Sequence, residues 1–293
     1  MQKRSFSEIQ QQLQVRLPLQ RIEPNDKLTK CLFQMDDDII KARCLNVIEK
    51  HNKGSPDKIV TPVKFISELS EKLDPHDREV ALACFSLYAN KNLFVTDEQI
   101  YRMMSGNSKA RLRQAEAKRI EQSLIRLMSI VVRIGLSGLQ KMDYKFNQSE
   151  LIGAILPAQF LTNVKINNSS RTVVQFLGES PLVSVAKIKN NQLITYATAL
   201  ADVGGRNSPE LIAIKNYVLR RIEECKRHRQ LTTTITFDDV FEKNELSTKS
   251  KTEKKRYRDF FLRCFAEWQS LNIISTYEMI TKGTVYHGIS FQF

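Results

Sequence analysis

The sequence predicts an α+β fold in which one order of elements occurs twice along the chain. Each half contains a helix, a shorter helix, a basic amphipathic helix and then strands. Apolar residues at helical spacing indicate the helices, and β-branched runs bounded by Gly and Asn indicate the strands. A stretch rich in Gly, Asn, Ser and Pro, residues 201–210, lies between the halves and is predicted to be a linker.

The N-terminal end of the chain is polar and rich in Gln. Residues 1–30 are therefore predicted to be a flexible segment, ordered only where it docks onto the rest. Residues 36–50 and 62–73 are predicted to be helices, because acidic residues open the first and Pro62 falls in the first turn of the second.

The repeated order first occurs after these helices. Residues 77–90 are predicted to be a strongly apolar helix. Thr96 and Gln99 have the spacing of a capping box, so a second helix is expected there, with Gly106 as its stop. Residues 109–128 are predicted to be the amphipathic third helix. Its apolar face is Ala117, Ile120, Leu124, Leu127 and Met128, and its polar face is Arg111, Gln114, Lys118 and Gln122.

Strands are predicted after this helix. The β-branched run at residues 129–135 indicates the first. Three further runs have the same character, at 139–146, 155–166 and 171–177. Residues 182–188 and 192–196 are predicted to form a hairpin around Asn190 and Asn191.

The second half repeats the order. Ser208 is predicted to cap a helix with Pro209 at its first position. A short Thr-rich strand follows, and Thr236 is predicted to cap the next helix. At the end of the chain, two β-rich runs are joined by Gly283 and predict a hairpin with Lys282 at its tip.

The third helix of this half, within residues 247–272, has a cationic front and an aromatic stripe. The stripe recurs at helical spacing and must face a core; it comprises Tyr257, Phe260, Phe261, Cys264, Phe265, Trp268 and Leu271. Lys255, Arg256 and Arg263 fall opposite the stripe, and Lys251 and Arg258 flank it. The stripe position of Trp268 indicates a core residue rather than a stacking platform for single-stranded nucleic acid.

This order of elements is typical of the winged helix, a helix-turn-helix whose second helix is backed by a β-hairpin. The sequence therefore predicts two winged-helix domains in tandem, residues 31–200 with extra strands and residues 211–293.

Composition narrows the possible partners. The 293-residue chain is 42% hydrophobic and 26% charged, which is typical of a globular protein, and its net charge of +13 favours a polyanionic partner. Its five cysteines are scattered and form no CxxC pair, which favours buried thiols in the cytoplasm. No apolar run approaches 18 residues, so no membrane partner is expected.

Catalytic signatures are missing from the sequence. It has no GxxxxGK[ST] phosphate loop, and its four histidines form no H-x-H or HExxH pair. The chain is therefore not expected to be an enzyme, and no catalytic residue, metal site or cofactor is predicted.

Double-stranded DNA is the predicted partner. Arginines 111, 256 and 258 are the candidates for guanine edges, and the lysines for phosphates. The full set of candidate DNA contacts is Lys109, Arg111, Arg113, Lys118, Lys249, Lys251, Lys254, Lys255, Arg256, Arg258 and Lys282. Ordinary solvated helix faces are the competing interpretation. That interpretation is stronger for Arg111, Arg113, Lys118 and the neighbouring Arg119, because the acidic residues Glu116 and Glu121 lie near them in the sequence.

The C-terminal half, residues 207–293, resembles the iteron-binding replication initiators of theta-replicating plasmids, which have two winged-helix domains. The resemblance rests on Tyr217, Arg221 and Ile222 in the first helix, on Arg256, Asp259, Phe260, Phe261, Phe265 and Glu267 in the third, and on Tyr277, Glu278, Lys282, Gly283 and Gly288 to Phe291 in the hairpin. The third helix is richer in Lys than the family pattern.

The resemblance implies that both domains bind repeated origin sequences and that the protein initiates plasmid replication. It also implies a homodimer that represses, a monomer that initiates, and contacts with host replication proteins. Two alternatives remain open. One is a transcriptional regulator of a mobile element that uses the same domains, and the other is a protein whose winged helices bind protein.

Overall fold

The computed structural model describes residues 18–24, 29, 32–33, 73–135, 150–166, 169–188, 193–205, 208–228, 233–283 and 285–293. The helices predicted at 36–50 and 62–73 and the strand predicted at 139–146 lie outside these ranges, apart from residue 73.

The described residues form a mixed α+β structure with seven α-helices and small antiparallel sheets. The elements of the N-terminal half are β1 (Gln20–Pro24), α1 (Pro75–Ala89), β2 (Phe94–Thr96), α2 (Asp97–Ser105), α3 (Gln114–Ser129), β3 (Val131–Gly135), β4 (Glu150–Ala154), β5 (Ala158–Ile166), β6 (Ser169–Phe176), α4 (Pro181–Ile188) and β7 (Leu193–Ala197). Those of the C-terminal half are α5 (Pro209–Arg227), β8 (Thr234–Thr236), α6 (Phe237–Lys243), α7 (Lys251–Ser270), β9 (Thr276–Lys282) and β10 (Val285–Gln292).

Both halves use the same sheet order. The short strand between the first two helices pairs with the last strand of the unit, which pairs in turn with the strand before it. The sheets are therefore β2-β6-β5 in the N-terminal half and β8-β10-β9 in the C-terminal half. The N-terminal half carries an additional antiparallel pair, β3 with β4, between α3 and its sheet.

The predicted helix starts are confirmed by their caps. Thr96 and Gln99 form a reciprocal capping box at α2, and Gly106 ends that helix in the left-handed conformation with φ of 78°. The Ser208 side chain caps α5, which has Pro209 in its first turn, and the Thr236 side chain caps α6.

The hairpin predicted from residues 182–188 and 192–196 is wrong, because the first of these segments is the helix α4. Ser180 accepts a hydrogen bond from the Leu182 N–H through its hydroxyl, at 3.3 Å, and Pro181 occupies the first helical position. These two start signals outweigh the β-branched composition of the segment. The second segment forms β7, which pairs with β1 instead.

The N-terminal segment docks through β1. This strand pairs antiparallel with β7, from Gln20 opposite Ala197 to Pro24 opposite Leu193. Arg21 and Glu23 on this strand are completely buried.

Two hydrophobic cores divide the described chain close to residue 193. The first contains residues from Leu32 to Leu193 together with Ile212, and the second runs from Ile194 to Phe291. The first part of the predicted linker belongs to the second core, because Ala201 and Val203 are buried. The Gly204 N–H donates to both carboxylate oxygens of Glu267, at 3.1 and 3.0 Å. A side chain at Gly204 would collide with the ring of Phe260.

Candidate nucleic-acid interface

The helix α7 is fixed to the second core by its aromatic stripe. Phe260, Phe265 and Trp268 are fully buried, as are Phe261 and Cys264, so the predicted stripe is confirmed at five positions. The Trp268 indole N–H donates to the Leu200 carbonyl at 3.0 Å, which ties α7 to the segment that enters the C-terminal half. Trp268 is therefore a core residue, as its position predicted.

The two ends of the stripe differ from the prediction. Tyr257 is only half-buried, and Leu271 is 52% exposed. The helix ends at Ser270, so Leu271 is no longer held at the helical spacing that would turn it toward the core.

The start of α7 is set by a capping box that the sequence analysis missed. The Ser250 hydroxyl accepts from the Glu253 N–H at 3.3 Å, and the Glu253 carboxylate accepts from the Ser250 N–H at 3.1 Å. The signal was present, since Ser followed three residues later by Glu is the capping-box spacing. This cap begins α7 among its lysines and orients the first turn.

The outward face of α7 is cationic. Within residues 251–263, the exposed residues on the side opposite the stripe, or beside it in the first turn, are Lys251, Thr252, Lys255, Arg256, Asp259 and Arg263. Four of the six are cations and one is an acid. Arg263 was placed opposite the stripe from sequence but was not included among the candidate contacts, although it continues this face by two turns beyond Arg256.

Three of the candidate cations near α7 are engaged by their own domain. The Lys254 ammonium donates to the Ser247 carbonyl and lies 5.8 Å from the centre of the Phe241 ring. The Arg258 guanidinium lies 5.9 Å from the centre of the Phe237 ring. Lys249 is ion-paired with the Glu253 carboxylate at 3.6 Å.

A hairpin follows α7. The strands β9 and β10 pair from Lys282 opposite Val285 to Thr276 opposite Gln292. Gly283 makes the turn in the left-handed region, with φ of 64°, where a residue without Cβ is favoured. Lys282 is therefore the last residue of β9, at the hairpin tip, as predicted.

The corresponding helix of the N-terminal half, α3, starts later than predicted. It begins at Gln114, so Lys109, Arg111 and Arg113 precede it in an exposed loop, and Arg111 does not share a helix face with Lys118. Asn107 causes the difference. Its side-chain oxygen accepts from the Lys109 N–H at 2.8 Å, a local bond that competes with helix formation.

The outward face of α3 is less cationic than that of α7. Gln114, Lys118 and Gln122 are exposed on it, as predicted for these three. Arg119 and Arg126, on the sides of the helix, form ion pairs with acids at the start of α1, namely Asp74 at 3.7 Å and Asp77 at 2.6 Å.

These acids belong to a cluster that the sequence did not reveal. Ligand atoms of Asp74, His76 and Asp77 lie within 4.8 Å of one another. Asp74 and Asp77 form the capping box of α1, Asp77 also binds Arg126, and His76 Nδ1 lies 2.9 Å from the Ser123 hydroxyl. Burial and the nearby Arg119 lower the pKa of His76 to about 4. The side chains of Asp74, His76 and Asp77 are thus already engaged in helix capping, ion pairing and packing.

Three of the five cysteines lie among the described residues. Cys84, Cys225 and Cys264 are free and buried. Burial raises the pKa of the Cys264 thiol to about 12, so this group is protonated and unreactive near neutral pH.

Among the helices in the described ranges, none has both the length and the apolar character needed to span a bilayer.

Comparison with known proteins gives no further assignment. No protein-family model matches the chain, and no curated protein matches it.

Proposed function

We propose that the chain binds double-stranded DNA in a sequence-specific manner through two winged-helix domains in tandem. The observation that carries the proposal is the outward face of α7. It presents four exposed cations on a helix that is anchored by buried aromatics and followed by a hairpin. A helix of this kind fits the major groove, and the hairpin is positioned to act as the wing.

The order of elements supports the winged-helix interpretation. In the C-terminal half, α5, β8, α6 and α7 precede the β9–β10 hairpin, and the short strand β8 completes the sheet. The N-terminal half has the same order and the same sheet connectivity, with β3 and β4 as extra strands. On this interpretation α3 and α7 are the recognition helices of the two domains.

The geometry ranks the candidate contacts of α7. Arg256 and Arg263 are exposed, so their guanidinium groups can reach the O6 and N7 atoms of guanine, although that of Arg263 also lies 5.9 Å from the centre of the Phe260 ring. Lys251 and Lys255 suit phosphate contacts near the start of the helix. Arg258 is half-buried over Phe237, which makes it a weaker candidate for base contacts than Arg256.

The biological process that we propose is initiation of plasmid-type replication at repeated origin sites. The support for it is the sequence resemblance of the C-terminal half, which also implies a homodimer and contacts with host replication proteins. We propose a binding role without catalysis. The second candidate is repression of transcription by a regulator of a mobile element, because the same two domains would serve it equally well.

The DNA-binding proposal is tested by fluorescence anisotropy with a duplex from upstream of the gene and a scrambled duplex, across a salt series. The logarithm of affinity should fall with the logarithm of salt concentration by about 0.9 per phosphate contact. Arg263→Gln should weaken binding, and Arg256→Ala should cost about 1–3 kcal/mol on the specific duplex if Arg256 reads a base.

Lys187→Gln is the control, because Lys187 on α4 is also an exposed cation but lies outside α7 and its hairpin. Equal, weak binding of both duplexes, unchanged by the α7 substitutions, would reject the proposal.

A replication assay separates initiation of replication from repression of transcription. The gene and its flanking DNA should support a vector that lacks its own origin if the protein is an initiator, and should only repress a reporter if it is a regulator.

A further inference from the structure

A cavity of about 280 Å³ lies between the two halves of the molecule, away from α7 and its hairpin. Its walls come from β1, α1, α5, β8 and α6. Among the described residues, four cations line it, namely Arg78, Arg220, Arg221 and Lys243. No role in DNA binding accounts for these groups.

The cavity borders a buried network with more cations than acids. Arg21, Arg78 and Arg220 share two carboxylates, those of Glu23 and Glu79. The carboxylates of Glu23 and Glu79 are at most 1% exposed, and Arg21 is completely buried. One positive charge in this network therefore has no acidic counterpart within it. A buried charge is costly unless it is paired.

Two guanidinium groups of this network line the cavity and have nitrogen atoms without partners. Arg78 uses Nε on Glu79 and Nη2 on Asn244, both at 3.3 Å, but its Nη1 has no hydrogen-bond partner among the described residues. Arg220 uses Nη1 on Glu23 and Glu79, and its Nη2 likewise has no partner within the described part of the chain. Buried donors of this kind are normally satisfied.

The surroundings of Arg78 disfavour its charged form. Burial, together with the neighbouring charge of Arg220, lowers the pKa of Arg78 to about 10. An anion beside its free nitrogen would reverse that effect.

The carboxylates of the described residues that line the cavity do not fill this role. Glu23 is bound by Arg220 and by the Tyr196 hydroxyl, and Glu224 is bound by Arg221. Asp239 is exposed at the rim.

We propose that this cavity binds a phosphate group, either free inorganic phosphate or the phosphate of a small phosphomonoester, through the guanidinium groups of Arg78 and Arg220. Guanidinium groups match the oxygen geometry of phosphate, and Lys243 supplies a further cation in the wall. The volume is slightly below that of ordinary ligand pockets, so it suits a small anion. Because Arg78 lies on α1 and Arg220 on α5, the bound anion would join the two halves.

Calorimetric titration of the full chain tests the proposal. Sodium phosphate and adenosine monophosphate are titrated in a phosphate-free buffer with sodium chloride at matched ionic strength, and adenosine is the arm without phosphate. Saturable binding of phosphate, or tighter binding of the monophosphate than of adenosine, supports the proposal and identifies the source of the phosphate. No saturable binding of either phosphate compound overturns it.

Variants locate the site. Arg78→Met should abolish binding, and circular dichroism checks that this variant folds. Lys243→Met should weaken binding about tenfold, as expected for losing one charged contact. Lys226→Met is the matched control, because Lys226 has a similarly half-buried side chain paired with a neighbouring glutamate but lies outside the cavity. Equal affinities of the Lys243→Met and Lys226→Met variants would place the anion elsewhere and overturn the proposal.

Discussion

Replacement of Glu79 by Gln should destabilise the protein more than any equivalent change at a surface ion pair. Each of the two carboxylate oxygens of Glu79 accepts two hydrogen bonds. One binds Arg21 at 3.4 Å and Asn216 at 2.7 Å, and the other binds Arg78 at 3.3 Å and Arg220 at 3.2 Å. Burial alone would raise the pKa of Glu79, but the three guanidinium groups outweigh it and hold that pKa below its ordinary value.

The magnitude follows from these contacts. Glutamine keeps the shape of the side chain but removes the charge, so one buried carboxylate, that of Glu23, remains for three guanidinium groups. Its amide nitrogen would also face two donors where an oxygen accepted before. A hydrogen bond to a charged group contributes about 1.5–3 kcal/mol, and removing one partner of a buried ion pair costs about 3–5 kcal/mol. We expect the free energy of unfolding to fall by about 4 kcal/mol.

Urea unfolding measures this effect with two probes. Trp268 is the single tryptophan and lies in the C-terminal core, so its fluorescence reports that core, while far-UV circular dichroism reports both halves. Because Glu79 on α1 binds Arg220 and Asn216 on α5, the two transitions should separate in the variant.

The matched control is Glu98→Gln. Glu98 also pairs with two arginines, Arg102 at 3.0 Å and Arg171 at 3.2 Å, but its side chain is 22% exposed. Such a pair contributes about 1 kcal/mol or less. If Glu79→Gln lost no more stability than Glu98→Gln, the network would not hold the halves together and the reasoning would be refuted.

Three further predictions concern single side chains. Trp268→Phe should lower the free energy of unfolding by about 2 kcal/mol in urea, followed by circular dichroism, because it leaves the Leu200 carbonyl without its donor and the core underfilled; a loss below about 0.5 kcal/mol would contradict this. Ser250→Ala should cost about 1 kcal/mol by removing the α7 cap, and a Ser250→Asp variant should restore it. His76 has a folded pKa of about 4, below its ordinary value of 6.5, so its unfolded form binds more protons and stability is lost as pH falls from about 6.5 to 4. A His76→Gln variant should lose less stability over that interval, and an unchanged pH profile of unfolding would disprove the assignment.

The sequence predicted the elements whose signals are local. The caps at Thr96, Ser208 and Thr236 and the aromatic stripe of α7 depend on residues within a few positions of one another, and each is found where it was expected. The prediction was wrong where two local signals favoured different structures in the same segment. Segment 182–188 has β-branched residues inside a helix that its Ser and Pro start signals impose, and the Asn107 turn delays the start of α3.

The buried network between the halves could not be predicted from spacing. Arg21 and Glu79 are 58 positions apart, and Glu79 and Arg220 are 141 positions apart. Neither strand β1 nor its pairing with β7 was predicted, and the pairing depends on a polar strand being buried by a partner far along the chain. In isolation Arg21 and Glu23 give the impression of a solvated surface, although the fold buries both completely.

The two halves share an order of elements but differ in the charge on their outward helix faces, and this difference has a consequence for the proposed function. The face of α7 carries four exposed cations. The corresponding face of α3 carries one among its described residues, Lys118, beside Gln114 and Gln122. Phosphate neutralisation makes affinity depend on salt, while glutamine contacts to adenine release no counterions. If both helices bind one duplex, most of the salt dependence that comes from the two helix faces must therefore arise from α7. The face of α3 would then contribute mainly to the choice of sequence, and the loop cations before α3 would add phosphate contacts of their own.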